Sequence, residues 1–168
     1  MKRRLAVVLS VLLVLGSFSA CQQEATGTTQ IVNPVSSCTV EDIRALGYGF
    51  TLPDSAKEIS YSIITLSENE KIAQVSFVVE KIRYNHRMTA ANEMNDISGV
   101  YFSIEEKDAE VEYCPAKIAV NEEGLGKVYW YDVVPGLLYS LSADKGANEE
   151  LLLTMAEEVF VSAQGDVG

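Results

Sequence analysis

Between residues 59 and 89 the chain alternates apolar and polar side chains in three runs, and the links between those runs are very short. Residues 59–66 (ISYSIITL), 71–79 (KIAQVSFVV) and 82–89 (IRYNHRMT) are separated only by Ser67-Glu68-Asn69-Glu70 and by Glu80-Lys81. Period two is the side-chain repeat of a β-strand. Links this short join only antiparallel neighbours, because a parallel crossover takes a dozen residues or more. This part of the chain is therefore committed to an antiparallel meander. In the third run Ile82, Tyr84, His86 and Met88 share one face; Arg83, Asn85, Arg87 and Thr89 share the other.

The flanking sequence extends the same architecture. Thr39 followed by Asp42 fits a capping box, and Gly47 is a natural stop, which predicts a short helix over 40–46. Residues 90–96 read as a polar helical turn, Ile97-Ser98-Gly99 as a break, and 100–104 as a short strand. A strand over 109–114 is expected to end at Pro115, and another to begin at Lys117. Residues 127–132 (KVYWYD) and 137–142 (LLYSLS) flank the turn Val133-Val134-Pro135-Gly136. Asn148 caps a last helix whose Leu152, Met155, Ala156 and Val159 recur at helical spacing. The expected fold is α+β: a mostly antiparallel sheet of about six to eight strands, with the C-terminal amphipathic helix packed on one face.

The start of the chain has a different character. Met1-Lys2-Arg3-Arg4 is basic, residues 5–16 (LAVVLSVLLVLG) are apolar, and Phe18-Ser19-Ala20 precedes Cys21. The apolar run is shorter than the roughly 20 residues of a spanning helix, so it reads as a secretory signal. Phe18-Ser19-Ala20-Cys21 resembles a bacterial lipobox, with Phe18 where Leu is usual. The resemblance implies cleavage after Ala20 and a diacylglyceryl thioether on Cys21. Two acyl chains anchor stably, at about 0.8 kcal/mol per buried methylene. The expected division is a signal peptide at 1–20, a flexible Gln/Thr/Ser-rich tether at 21–36 and a single globular domain at 37–168. The expected location is the extracytoplasmic face of the cell membrane.

Removing the signal takes three of the 13 basic residues and none of the 24 acidic ones. So acidic a surface repels phosphate backbones, which argues against nucleic acid as a partner. With Cys21 lipidated, Cys38 and Cys114 remain in an oxidising compartment. They read either as a disulfide, adding about 4 kcal/mol through the long loop it closes, or as two separate buried thiols.

A family resemblance rests on short motifs spread over 59–161: Ile72-Ala73-Gln74-Val75, Asp96-Ile97-Ser98-Gly99-Val100-Tyr101, Trp130-Tyr131-Asp132, Tyr139-Ser140-Leu141-Ser142, and the helix from Glu150-Leu151-Leu152 to Glu157-Glu158-Val159. Together they resemble the DUF4367 type of domain, found in secreted and membrane-anchored proteins mainly of Firmicutes. The resemblance implies a Gram-positive surface protein and brings no catalytic residue with it.

The chemistry is sparse. His86 is the only histidine, so a nucleophile–histidine triad has to use it. It reads either as a proton carrier or anion site beside Tyr84, or as a strand residue satisfied by a carboxylate. Glu106, Asp108, Glu110 and Glu112 fall on alternate positions, a pattern that suits a solvated edge strand better than a calcium site. No P-loop, dinucleotide fingerprint, C-x-x-C pair or G-x-S-x-G elbow is present in the sequence. The reading therefore includes no enzyme activity, metal or cofactor. Strand alternation puts Trp130 in the core and Tyr129 and Tyr131 on the opposite face, open to a partner. The expected function is a non-enzymatic binding module for an envelope protein, peptide or glycan, using Tyr129, Tyr131, Arg83, His86 and Arg87. The alternative is an enzyme or enzyme inhibitor built on the His86/Arg87 region.

Overall fold

The computed structural model describes residues 34–160. The signal peptide, Cys21 and most of the expected tether lie outside the described residues. The described chain runs β1 (Val35–Cys38), α1 (Val40–Ala45), β2 (Lys57–Thr65), β3 (Lys71–Val79), β4 (Ile82–Ala90), β5 (Lys107–Val111), β6 (Cys114–Val120), β7 (Gly126–Asp132), β8 (Leu137–Ala143) and α2 (Glu149–Val159). These eight strands form one antiparallel sheet in the order β1-β2-β3-β4-β8-β7-β6-β5. Two sequential meanders thus meet at the β4–β8 pair, where His86 faces Leu141 and Arg87 faces Ser140.

The alternation of the sequence sorts the two faces of this sheet. One face gathers Val75, Phe77, Tyr84, Met88, Val128, Trp130, Tyr139 and Leu141 into the core. Helix α2 lies over the β5–β8 half of that face and buries Leu152, Met155, Ala156 and Val159. Its first turn is held by Asn148, whose Oδ1 accepts from the Leu151 amide at 2.7 Å. Tyr48, Phe50 and Leu52 from the segment after α1 pack against the same core. Helix α1 carries the expected capping box, with Thr39 N–H donating to Asp42 at 2.8 Å.

Four local expectations are corrected. The folded unit begins before Ser37, because Val35 and Ser36 pair with Ile64 and Ile63 at the sheet edge. Residues 91–106 contain neither a helical turn nor a strand, and β5 starts only at Lys107. Pro115 lies inside β6; pairing with β7 begins one residue later, at Ala116↔Trp130, so the proline interrupts no ladder on that side. Cys38 and Cys114 are both free thiols. Cys38 is on the edge strand β1 and Cys114 on β6, six strands along the sheet. At about 4.8 Å per strand that separation far exceeds the roughly 7 Å a disulfide can span. Burial pushes the Cys114 thiol up to about 11.

The two-residue corner between β3 and β4 carries backbone strain. Glu80 and Lys81 have φ of 49° and 74°. This is the pattern of a type I′ hairpin turn, which matches strand twist but favours Asn-Gly over side chains such as these. Lys81→Gly is expected to stabilise the domain by about 1 kcal/mol. A urea midpoint that does not rise would show that the corner stores no strain.

Candidate functional site

The face of the sheet opposite the core is polar along two rows that cross it from strand to strand. Register aligns Ser62, Gln74, Arg87, Ser140, Tyr129 and Lys117 in one row. Ser76, Asn85, Ser142 and Lys127 form the next. On the β2–β4 side neighbours within the rows bond one another, whereas the buried Ser140 hydroxyl has no partner among the described residues. Arg87 Nε donates to Gln74 Oε1 at 2.7 Å, Gln74 Nε2 donates to Ser62 Oγ at 3.2 Å, and Ser76 Oγ donates to Asn85 Oδ1 at 2.7 Å.

Residues 91–106 lie across this face and are fastened to it at four places. Tyr131 Oη donates to the Ala91 carbonyl at 3.1 Å. Arg87 Nη1 donates to the Ile97 carbonyl at 2.8 Å. Lys127 Nζ pairs with Asp96 at 2.6 Å and with Glu106 at 2.7 Å. Tyr129 Oη donates to the other oxygen of Glu106 at 2.6 Å. Gly99 packs directly on the Arg87 guanidinium at φ 70°; a Cβ there would strain the backbone and would have to displace the guanidinium.

The electrostatics follow from this geometry. Lys127 is 7 % exposed, and burial disfavours its charge; the bonds to Asp96 and Glu106 outweigh that and raise its pKa. Burial likewise opposes the Asp96 charge, but bonds from Lys127 and Ser98 hold its carboxyl below the usual range. Bonds from Lys127 and Tyr129 lower Glu106, while burial and the bond to Glu106 raise the Tyr129 phenol. The result is a pre-paired ionic clamp with no proton poised near neutrality.

The residues expected to form a binding surface therefore separate. Arg87, Tyr129 and Tyr131 do share the polar face, but beneath residues 91–106, and Tyr129 is buried rather than open to a partner. Arg83 is at the surface, paired with Glu58 at 2.6 Å. His86 is on the other side of β4, fully buried among Phe50, Trp130 and Tyr139 at ring-centroid distances of 5.1, 5.9 and 6.2 Å. Among the described residues neither ring nitrogen has a hydrogen-bond partner, and no carboxylate satisfies it. Burial pushes its pKa down to about 3. His86 and Arg87 thus lie on opposite faces of β4 and do not converge on one site. The alternating acids also part company: Glu106 joins the clamp, Asp108 pairs with Lys117 at 2.7 Å, and Glu112 occupies the β5–β6 turn at φ 53°.

What remains exposed is the outer side of residues 91–106. Tyr101 is 91 % exposed, accompanied by Met94 and Ile104. No protein-family model, curated protein or solved structure matches this chain. The site is accordingly read from its own geometry.

Proposed function

We propose that this chain is a lipid-anchored extracytoplasmic domain that works as a non-enzymatic binding module, with residues 91–106 as its recognition segment. One observation carries this reading: a long segment without repetitive structure is fastened to the sheet by an ionic clamp on the buried Lys127 while presenting Tyr101 almost fully to solvent. Segments longer than about 12–15 residues without secondary structure are usually functional or disordered. Burying a lysine charge under two half-buried carboxylates is an expensive way to hold a loop, because the ammonium gives up most of its water. A rigid mount lowers the ordering cost of binding, and tyrosine supplies a large amphipathic contact area. The partner class is an envelope protein, peptide or glycan; the acidic surface disfavours nucleic acid. The DUF4367-like motifs and the lipobox both support a Gram-positive surface location.

The test uses the full chain in cells, with a photo-crosslinking amino acid at position 101. The expected result is an adduct with one envelope component that a probe at Glu80 does not give. Tyr101→Ser should weaken that partner about 30-fold, the effect of losing roughly 2 kcal/mol at an interface hot spot. Identical adduct patterns from both probe positions would defeat the reading.

A further inference from the structure

We infer that the domain sits on the membrane by one pole of its sheet, with the tips of two hairpins in contact with uncharged lipid headgroups. The inference rests on the lipid-anchor reading above and adds to it an orientation and a contact surface.

The two ends of the sheet differ in kind. At one end lie the turns 80–81, 121–125 and 144–146, whose outermost side chains are Glu80, Lys81, Glu122, Glu123, Asp144 and Lys145. At the other end lie the β2–β3 and β7–β8 turns. Their tips carry Leu66 at 54 % exposure and Val133 and Val134 at 72 % and 80 %. These exposed apolar side chains share one end of the sheet and give it a character that the turns of the opposite end lack.

The position of the chain decides what covers that surface. Pro34 lies at this same pole, where its carbonyl accepts from the Thr65 amide at 2.8 Å, beside Leu66. Only about a dozen residues separate Pro34 from Cys21. A chain of that length reaches at most about 40 Å. An acylated Cys21 therefore keeps this pole at millimolar effective concentration over the bilayer, so a weak partition is enough for lasting contact. The opposite, polar pole points away.

The tips are also pre-arranged. Asp132 accepts from the Val134 amide at 3.2 Å and from Tyr113 Oη at 3.2 Å, tying the β7–β8 turn to the neighbouring β5–β6 turn. The Ala91 amide donates to the Gly136 carbonyl at 3.0 Å and braces the same turn from the other side. Glu68, Glu70 and Glu112 on the turns of this pole outnumber the exposed Lys71 at the start of β3, so anionic headgroups are repelled and zwitterionic ones accepted. Contact is interfacial, with apolar tips at the headgroup boundary rather than in the hydrocarbon.

The test places the lipidated full chain in phosphatidylcholine vesicles with brominated acyl chains and reads tryptophan fluorescence. Trp130 is buried and supplies a constant background measured on the parent. The added signal of Val134→Trp is expected to fall by half or more relative to unbrominated vesicles. Glu80→Trp should be unaffected, and added phosphatidylglycerol should reduce the Val134→Trp quenching. Flotation separates the two ways of failing. If the parent floats with the vesicles, Cys21→Ala does not, and Val134→Trp is unquenched, the docking is overturned while the anchor stands. If the parent does not float, both fall. Quenching that appears only after an envelope protein is added also overturns contact with lipid.

Discussion

Acidification from pH 7 to 4.5 is expected to destabilise the domain by about 2.5 kcal/mol through His86 alone. In the unfolded chain this histidine takes a proton near pH 6.5; in the fold burial holds its pKa down to about 3. Below 6.5 the unfolded state binds a proton that the native state refuses. The stability present above pH 6.5 is therefore lost progressively down to about pH 3, at up to 1.36 kcal/mol per pH unit. The window identifies the residue. Bonds to Lys127 hold the Asp96 and Glu106 carboxyls below the ordinary carboxylate range, so their contribution is present above that range and is lost as pH falls through it. His86 is the only histidine. Urea midpoints for the parent should fall steadily between pH 6.5 and 4.5. His86→Phe should flatten that slope while keeping an aromatic ring between Phe50 and Trp130. At pH 7 it should be at least as stable as the parent, because two unpartnered ring nitrogens leave the core. An unchanged slope in His86→Phe would mean that another group controls acid stability.

Lys127→Met is expected to remove about 3 kcal/mol at pH 7 and to release residues 91–106 from the sheet. The substitution keeps the length and apolar stem of the side chain but leaves Asp96 and Glu106 facing each other without their shared cation. The two effects are separable. Denaturation reports the first, and amide hydrogen exchange within 91–106 reports the second, with the core strands β3 and β8 losing no more protection than the global change requires. The deficit should shrink as pH falls toward 4, where protonation relieves the two carboxyls. If 91–106 keeps its protection in a stable Lys127→Met protein, the clamp does not hold the segment and the recognition reading loses its mechanical basis.

Much of this arrangement is written in local pattern. The strands β2, β3 and β4 declare themselves by period two, and the same alternation places Trp130 inward and Tyr129 outward. Both helices announce their caps at Thr39 and Asn148. Three features are silent for physical reasons. Strand β1 is Val-Ser-Ser-Cys at the sheet edge with almost nothing to bury; its order comes from backbone pairing with β2, which leaves no hydrophobic signature and makes it read as tether. Residues 91–106 owe their shape to distant partners, since Arg87 holds them from β4 and Lys127 from β7, two strands beyond the one that follows them in sequence. No spacing rule joins Asp96 to Lys127, although a lysine inside an otherwise buried strand such as β7 is a signal that a carboxylate partner exists somewhere. The Cys38–Cys114 pairing fails because cysteine number and compartment say nothing about strand order, and strand order puts the two thiols near opposite ends of the sheet.

The strand order has a kinetic meaning as well. Every neighbouring pair in β1-β2-β3-β4-β8-β7-β6-β5 is sequential except β4–β8. The described sheet is therefore two hairpin ladders that zip locally, joined by one seam that closes the longest loop in the domain. Loop closure is the slow, entropically costly part of β-sheet assembly, and here it is concentrated in a single docking event. Residues 91–106 lead directly from β4 into the second ladder. The segment that displays Tyr101 is thus also the connection between the two ladders, and Arg87 and Lys127 fasten it from either side of the seam.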